Sequence, residues 1–183
     1  MLLTHSTTPV LLSAIRRYIA WTERGVVRRC RVLRLPLSSW STTARIPEDV
    51  EILPLSECGT EHLLRKVHNE TAFDSPGFVA ATWAHALALR AAPHHDRALI
   101  FLARCGGRYV GYCIGRNPEG RPSSISGLGV HPGFRGRGLG RALLRTTLKE
   151  LKERGAAQAI LHSHPDNSEA IALYHSEGFT VTG

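Results

Sequence analysis

Hydrophobic and polar positions change rhythm along this chain, and each change marks an element. From Val50 onward the order reads strand, helix, helix, three strands, helix, strand, helix, strand. Residues 51–55, Glu-Ile-Leu-Pro-Leu, have the pattern of a short strand. Over Glu57 to Thr71 the repeat lengthens, and Leu63, Leu64 and Val67 fall on one helical face. Phe73-Asp74-Ser75-Pro76-Gly77-Phe78 predicts a turn. Ser75 as cap and Pro76 in the first helical position predict a second helix running to Ala91, which Pro93-His94-His95-Asp96 ends. Ala98 to Ala103 and Arg108 to Ile114 alternate as strands around Cys105-Gly106-Gly107, a hairpin signal. Ser123 to Val130 is a third strand of this set. Leu139 to Arg154 is helical and closed by Gly155; Ala157 to His162 is a strand. Asp166 or Asn167 caps a last helix, Gly178 ends it, and Phe179 opens a final strand.

Between the third strand and the long helix lie four glycines and three arginines, within Gly133 to Arg141. A strand followed by a glycine-rich basic turn and a helix makes an anion site. Glycines let backbone N–H groups converge without an intervening Cβ. The helix N-terminus adds unpaired donors and partial positive charge, and arginines add paired donors for phosphate oxygens. No Gly-x-Gly-x-x-Gly follows an early strand, so a dinucleotide-binding turn is not supported.

The spacing Arg135-x-x-Gly138-x-Gly140, directly after Val130-His131-Pro132, resembles the acyl-CoA-binding motif of the GCN5-related N-acetyltransferases, the GNAT family. A second block, Asn167-x-x-Ala170-x-x-Leu173-Tyr174-x-x-x-Gly178-Phe179, resembles the family's late helix and its exit into the next strand. The likeness covers residues 48–183 and is densest over 124–179. It implies an α/β (α+β) fold of GNAT type: a mixed, mostly antiparallel central sheet flanked by helices and splayed at the CoA site. It also implies acetyl-CoA as co-substrate, no metal, and transfer of an acetyl group to a primary amine by direct attack. Two other readings stand beside it: an acyl-CoA-binding module of the same fold without catalysis, and a nucleic-acid-binding protein that uses a basic N-terminus.

The resemblance assigns roles residue by residue. Leu128 and Val130 would offer backbone groups to the pantetheine arm. Arg135, Gly136, Arg137, Gly138, Leu139, Gly140 and Arg141 would surround the pyrophosphate. Asn167 would touch the arm from the other side, a role compatible with capping its helix. Tyr174 occupies the place of the family's frequent general acid; a phenol with a pKa near ~10 is protonated at neutral pH, though packing alone would also account for it. The third strand has no carboxylate to act as base. His162, in Leu161-His162-Ser163-His164-Pro165-Asp166-Asn167, takes the place of a glutamate in the ribosomal-protein alanine acetyltransferases. A histidine titrating near ~6.5 is a competent base, and a surface histidine is the plain alternative. His162 and His164 share a strand face, but two ligands without a third do not make a metal site. The acceptor would bind near Glu70, Phe73, Asp74 and Phe78, where the two phenylalanines suit a core equally well.

Charge sharpens this. The net charge is +8. Residues 1–46 hold eight arginines and one acid, whereas residues 47–183 hold 15 basic and 14 acidic residues. The basic excess therefore belongs to the N-terminal segment, and the cluster Arg135, Arg137, Arg141 and Arg145 suits one compact polyanion better than a duplex. The expected partner is a small-molecule or peptide amine; nucleic acid is not expected, and a homodimer is left open. No apolar run approaches the ~18 residues of a membrane span, so no membrane partner is expected. Cys30, Cys58, Cys105 and Cys113 form no Cys-x-x-Cys and read as reduced thiols, which points to the cytoplasm.

The N-terminal part divides the chain into a basic extension, 1–46, and the GNAT-like domain, 47–183. Ala20-Trp21-Thr22-Glu23-Arg24-Gly25-Val26 resembles Leu173-Tyr174-His175-Ser176-Glu177-Gly178-Phe179, as if residues 1–46 were the tail of a preceding repeat. Tandem GNAT proteins resembling mycothiol synthase have this layout. The family's fold usually continues past the Gly-Phe exit, so residues 26–35 are expected as a strand on the C-terminal part of the sheet, in the same chain or in a swapped neighbour. An arginine-, serine- and threonine-rich transit peptide over 1–45 is the competing reading and would make the location organellar.

Overall fold

The structure, a computed structural model, describes residues 30–76, 78–92, 95–119 and 121–182. Its elements are β1 (Arg31–Pro36), β2 (Val50–Pro54), α1 (Leu55–Cys58), α2 (Glu61–Thr71), α3 (Trp83–Ala91), β3 (Ile100–Cys105), β4 (Arg108–Arg116), β5 (Ser123–Val130), α4 (Leu139–Glu153), β6 (Gln158–Ser163), α5 (Ser168–Ser176) and β7 (Thr180–Thr182). The strands form one sheet in the order β2-β3-β4-β5-β6-β1-β7. Every pairing is antiparallel except β5 with β6. This is the mixed, mostly antiparallel sheet with flanking helices that the sequence implies.

Period-two alternation in β3, and in β4 beyond an irregularity at Val110, feeds two cores. Phe101, Ala103, Val110 and Cys113 join the cluster under α4, and Ile100, Leu102 and Tyr112 join Leu64 and Val67 of α2. In α4 the helical repeat puts Leu143, Leu144, Leu148 and Leu151 in full burial. At about 1.5–3 kcal/mol per buried leucine, this face is a substantial source of cohesion in the domain.

Two helices differ from expectation. The helix expected from Glu57 begins at Leu55, stops at Cys58 and resumes at Glu61, because Thr60 is extended (φ −127°, ψ 172°) and serves as N-cap. The helix expected from Pro76 begins only at Trp83. Asn69 holds the preceding segment out of the helix: its Nδ2 donates to the Ala81 carbonyl (3.0 Å), and its Oδ1 accepts from the Ala81 N–H (2.7 Å). With both backbone groups of Ala81 satisfied by a side chain, the segment has no need of helical bonds. The Thr82 N–H then donates to His85 Nδ1 (2.9 Å), which fixes the start of α3.

β1 lies between β6 and β7, antiparallel to both, with Leu33 opposite Leu161 on one side and Val181 on the other. Leu33 and Leu35 are buried while Arg31, Arg34 and Pro36 are exposed, so the alternation of this short stretch directs its register. The pairing is within the chain. The sheet thus draws on residues from both sides of the expected 46/47 division. Residues 26–29 of the expected strand, the repeat-like residues 20–26 and most of the transit-peptide-like stretch lie outside the described residues.

Candidate active site

One extra residue in β5 opens the sheet. Ile114 faces Gly127 and the next residue, Gly115, faces Ile125, which leaves Ser126 as a bulge. A bulge bends its strand and reverses which side chains face which side. Ile125 packs in the α4 core, and after the bulge Leu128 and Val130 also border that core. Gly127 and Gly129 turn to the other face: a Cβ on Gly129 would lie 2.6 Å from the Tyr112 ring and 2.8 Å from Thr71 Oγ1. On the opposite edge, the parallel pairing with β6 runs from Ser123↔Ala159 to Ile125↔Leu161 and stops. Beyond the bulge β5 and β6 part.

The register shows what lines that gap. The His131 N–H donates to the Val110 carbonyl (2.8 Å). Hydrogen-bonded pairs alternate along an antiparallel ladder, so Gly129 and Gly127 bond to β4 as well. The backbone groups of Leu128 and Val130 therefore point away from β4, into the gap. The Val130 carbonyl confirms the direction by accepting from Arg135 Nε at 3.0 Å.

At one end the gap meets the turn before α4, where the sequence places an anion site. Gly136 and Gly138 adopt φ of 75° and 83°, and a Cβ on either would meet no atom within 4 Å, so the turn borders open space at both positions. The Ala142 N–H is bonded to the Gly138 carbonyl (2.9 Å), which leaves Leu139, Gly140 and Arg141 as helix-start donors with no helical carbonyl to reach. A Cβ on Gly140 would lie within ordinary contact distance of Val130 and Leu173, so the β5 end, the α4 start and α5 converge here. A cleft of about 470 Å³ adjoins the turn, lined by Arg45, Pro47, Arg137, Gly138, Arg141 and Arg145.

Carboxylates hold most of these guanidinium groups. Asp49 accepts twice from Arg137 Nη2 (2.7 and 2.6 Å). Glu177, whose side chain is wholly buried, accepts from Arg141 (2.7 Å) and from Arg145 (2.8 Å). The hydrogen bond from Arg137 pulls the Asp49 carboxyl below the usual range, and Arg135 does the same to Asp74. Neither Asp49, Glu177 nor Arg45 stood out in the sequence, since each reaches the cleft from a distant element.

Arg135 behaves differently from the other motif arginines. Its guanidinium turns from the cleft and bonds both Asp74 oxygens (2.7 and 2.6 Å) and the Thr71 carbonyl (3.2 Å). It therefore staples the end of β5 to the end of α2, and Asp74, expected beside the acceptor, is its partner. Of the other expected acceptor residues, Glu70 lies 3.9 Å from Lys66, Phe73 is exposed, and Phe78 stacks on His68 at 5.5 Å. Asn167 caps α5, its Oδ1 accepting from the Ala170 N–H at 3.3 Å.

Tyr174 of α5 is buried with its ring against Phe179, and burial pushes its phenol pKa above the ordinary value. His162 is exposed and sits one residue past Leu161, the last β6 residue paired to β5, hence at the apex of the gap. A second pair lies across the sheet. His68 Nε2 donates to the Val79 carbonyl (3.2 Å), so its Nδ1 is the acceptor for the Tyr112 hydroxyl (2.8 Å). Burial lowers the His68 pKa and keeps this pair neutral. Among the described residues no group of three or more His, Cys, Asp or Glu side chains is placed to hold a metal ion.

These features coincide with a family match. The acetyltransferase (GNAT) family model matches residues 63–179, more than half of the chain. The chain belongs to the GNAT family. A mycothiol acetyltransferase of Streptomyces bingchenggensis is 34% identical over 166 residues, covering 84% of this chain and 52% of that protein. The chain spans about half the length of the curated relatives it matches. Among solved structures, a GCN5-related N-acetyltransferase from Sphaerobacter thermophilus superposes with a TM-score of 0.69 at 22% identity, covering 91% of this chain and 53% of the other. The ribosomal-protein-S18-alanine N-acetyltransferase of Escherichia coli matches with a TM-score of 0.58 at 26% identity, over 73% of this chain and 79% of that one. β1 precedes the residues that the family model matches, yet it is an interior strand of this GNAT sheet.

Proposed function

We propose that this chain is an acetyl-CoA-dependent N-acetyltransferase acting on a primary amine of a small molecule or peptide. The observation that carries the reading is the parting of β5 from β6 at Ser126, in line with the anion turn at Gly136–Gly138. An extended arm bearing a diphosphate fits that arrangement: the turn and the α4 N-terminus take the diphosphate, and Leu128 and Val130 take the arm. The thioester then lies between Tyr174 and His162.

The acceptor nitrogen, once deprotonated, attacks the thioester carbonyl carbon; the C–N bond forms and the C–S bond breaks. His162, at the apex of the gap, takes the proton that the ammonium must lose. Tyr174 gives its hydroxyl proton to the departing thiolate and is restored by the second proton, which the nitrogen sheds as the amide forms. A raised phenol pKa keeps that proton in place in the resting enzyme. The four cysteines are unpaired, which supports a reducing, cytoplasmic setting. The interior place of β1 and the half-length match to the relatives support a tandem-repeat origin for the N-terminal segment.

The test is an assay of free CoA thiol with acetyl-CoA and a panel of amines, including peptide N-termini and amino sugars. Amine-dependent thiol release is expected. Tight CoA binding without turnover on any amine would leave a binding module in place of an enzyme.

A further inference from the structure

The cleft beside the anion turn is larger than a diphosphate needs, and one of its walls comes from outside the motif. That wall is the segment between β1 and β2, which brings Arg45 and Pro47 to the cleft. Three hydrogen bonds anchor it. The Leu37 N–H donates to the Ala157 carbonyl (2.9 Å), Lys152 Nζ donates to the Trp40 carbonyl (2.5 Å), and Arg145 Nη1 donates to the Thr43 carbonyl (3.0 Å). The last of these sets Arg145 two residues from Arg45 on the same wall.

The four cleft arginines are not equivalent. Asp49 neutralises Arg137, and Glu177 is shared by Arg141 and Arg145. Arg45 is exposed and has no carboxylate partner among the described residues. Four guanidinium groups against two carboxylates leave the cleft at +2, with the uncompensated charge on the Arg45 wall. The backbone donors at the α4 start already serve a diphosphate. A second anionic group on the same ligand is what the remaining charge would recognise, and CoA carries one, the phosphomonoester on its ribose. A phosphomonoester brings close to two negative charges and three acceptor oxygens, a match for paired guanidinium groups.

We propose that Arg45, together with Arg145, binds the ribose phosphomonoester of CoA, so that the segment joining β1 to β2 selects CoA over its dephosphorylated form. This rests on the acetyl-CoA reading of the site. The experiment is calorimetric titration of the full chain, wild type and Arg45→Ala, with CoA and separately with dephospho-CoA. Arg45→Ala is expected to weaken CoA about tenfold, the worth of one charge-assisted contact, while dephospho-CoA binding stays within about twofold. Arg45→Glu should weaken CoA further and keep the same selectivity of effect. Because Arg45 is exposed, an unchanged melting temperature without ligand is expected for both variants. Equal weakening of the two ligands, or no weakening of either, would overturn the proposal while leaving the acetyl-CoA reading intact. A wild-type chain that binds neither ligand would instead overturn the acetyl-CoA reading itself.

Discussion

The two faces of the β5–β6 opening are built on different principles. On the α4 face the chemistry is ionic and locally encoded. A turn with two left-handed glycines, a helix start and arginines of the same helix supply the donors, and Asp49 and Glu177 hold three of the guanidinium groups in place. On the α2 face the chemistry is neutral and assembled from afar. Gly127 and Gly129 lie against Tyr112, which bonds His68, and the exposed Phe73 and Trp83 stand on the same helical layer. The contrast teaches which half of a transferase must be constant and which can vary. The donor always carries the same phosphates, so its site can be a fixed array of N–H groups and guanidinium ions. In the proposed reading the acceptor would meet the α2 face, a surface of aromatic and small residues.

The sharpest way to break this contrast is to damage the ionic face alone. Gly138→Asp adds a Cβ at φ 83° and a carboxylate at the N-terminus of α4. No atom lies within 4 Å of that Cβ, so the fold should survive with a modest loss of stability. CoA affinity should fall by two orders of magnitude or so, as a repelled diphosphate requires. Calorimetry checks this, and affinity within twofold of wild type would show that the turn is not the anion site.

A smaller effect should separate binding from chemistry. Tyr174→Phe removes the hydroxyl and keeps the packing against Phe179. Turnover should drop about 10²–10³-fold with CoA affinity unchanged within about twofold, since a proton given to the leaving thiolate matters only in the transition state. If kcat is unaltered, Tyr174 is a packing residue.

The smallest effect belongs to the neutral face. Burial lowers the His68 pKa, so between the ordinary histidine value of about 6.5 and its lower folded value the unfolded chain binds a proton that the folded chain refuses. Stability should therefore fall as pH drops below about 6.5. His68→Gln should flatten that acid limb. His85, lowered by burial and by His68, contributes with the same sign, so the limb should shrink and not vanish. Urea unfolding of both proteins at several pH values measures it, and an identical limb in the variant would remove His68 from the account.

Legibility in the sequence follows the same division. Ser123–Val130 and the start of α4 at Leu139 were readable to the residue, because alternation, glycine and helical repeat change within a few positions of each other. The strand expected over 26–35, from Val, Cys and Leu set between arginines, is seen in its described part as Arg31–Pro36. The start of α3 was not readable. Ser75-Pro76 is a sound helix opening, and side chains of α2, Asn69 on Ala81 and His68 on Val79, hold the chain extended there. The motif arginines were legible as a group but not as individuals, since the carboxylates that separate their roles lie far away in sequence: Asp74 turns Arg135 outward from 61 positions off, and Asp49 holds Arg137 from 88. The Ser126 bulge left no mark in composition, because the extra residue shows only against the register of β4.

Hydrogen–deuterium exchange of the full chain, with and without saturating CoA, reads the opening between β5 and β6 amide by amide. New protection is expected at the amides of Leu128 and Val130 and across Gly136 to Arg141, with β2 and β3 unchanged. Protection confined to other segments, or none in the presence of bound CoA, would contradict a CoA site in this opening.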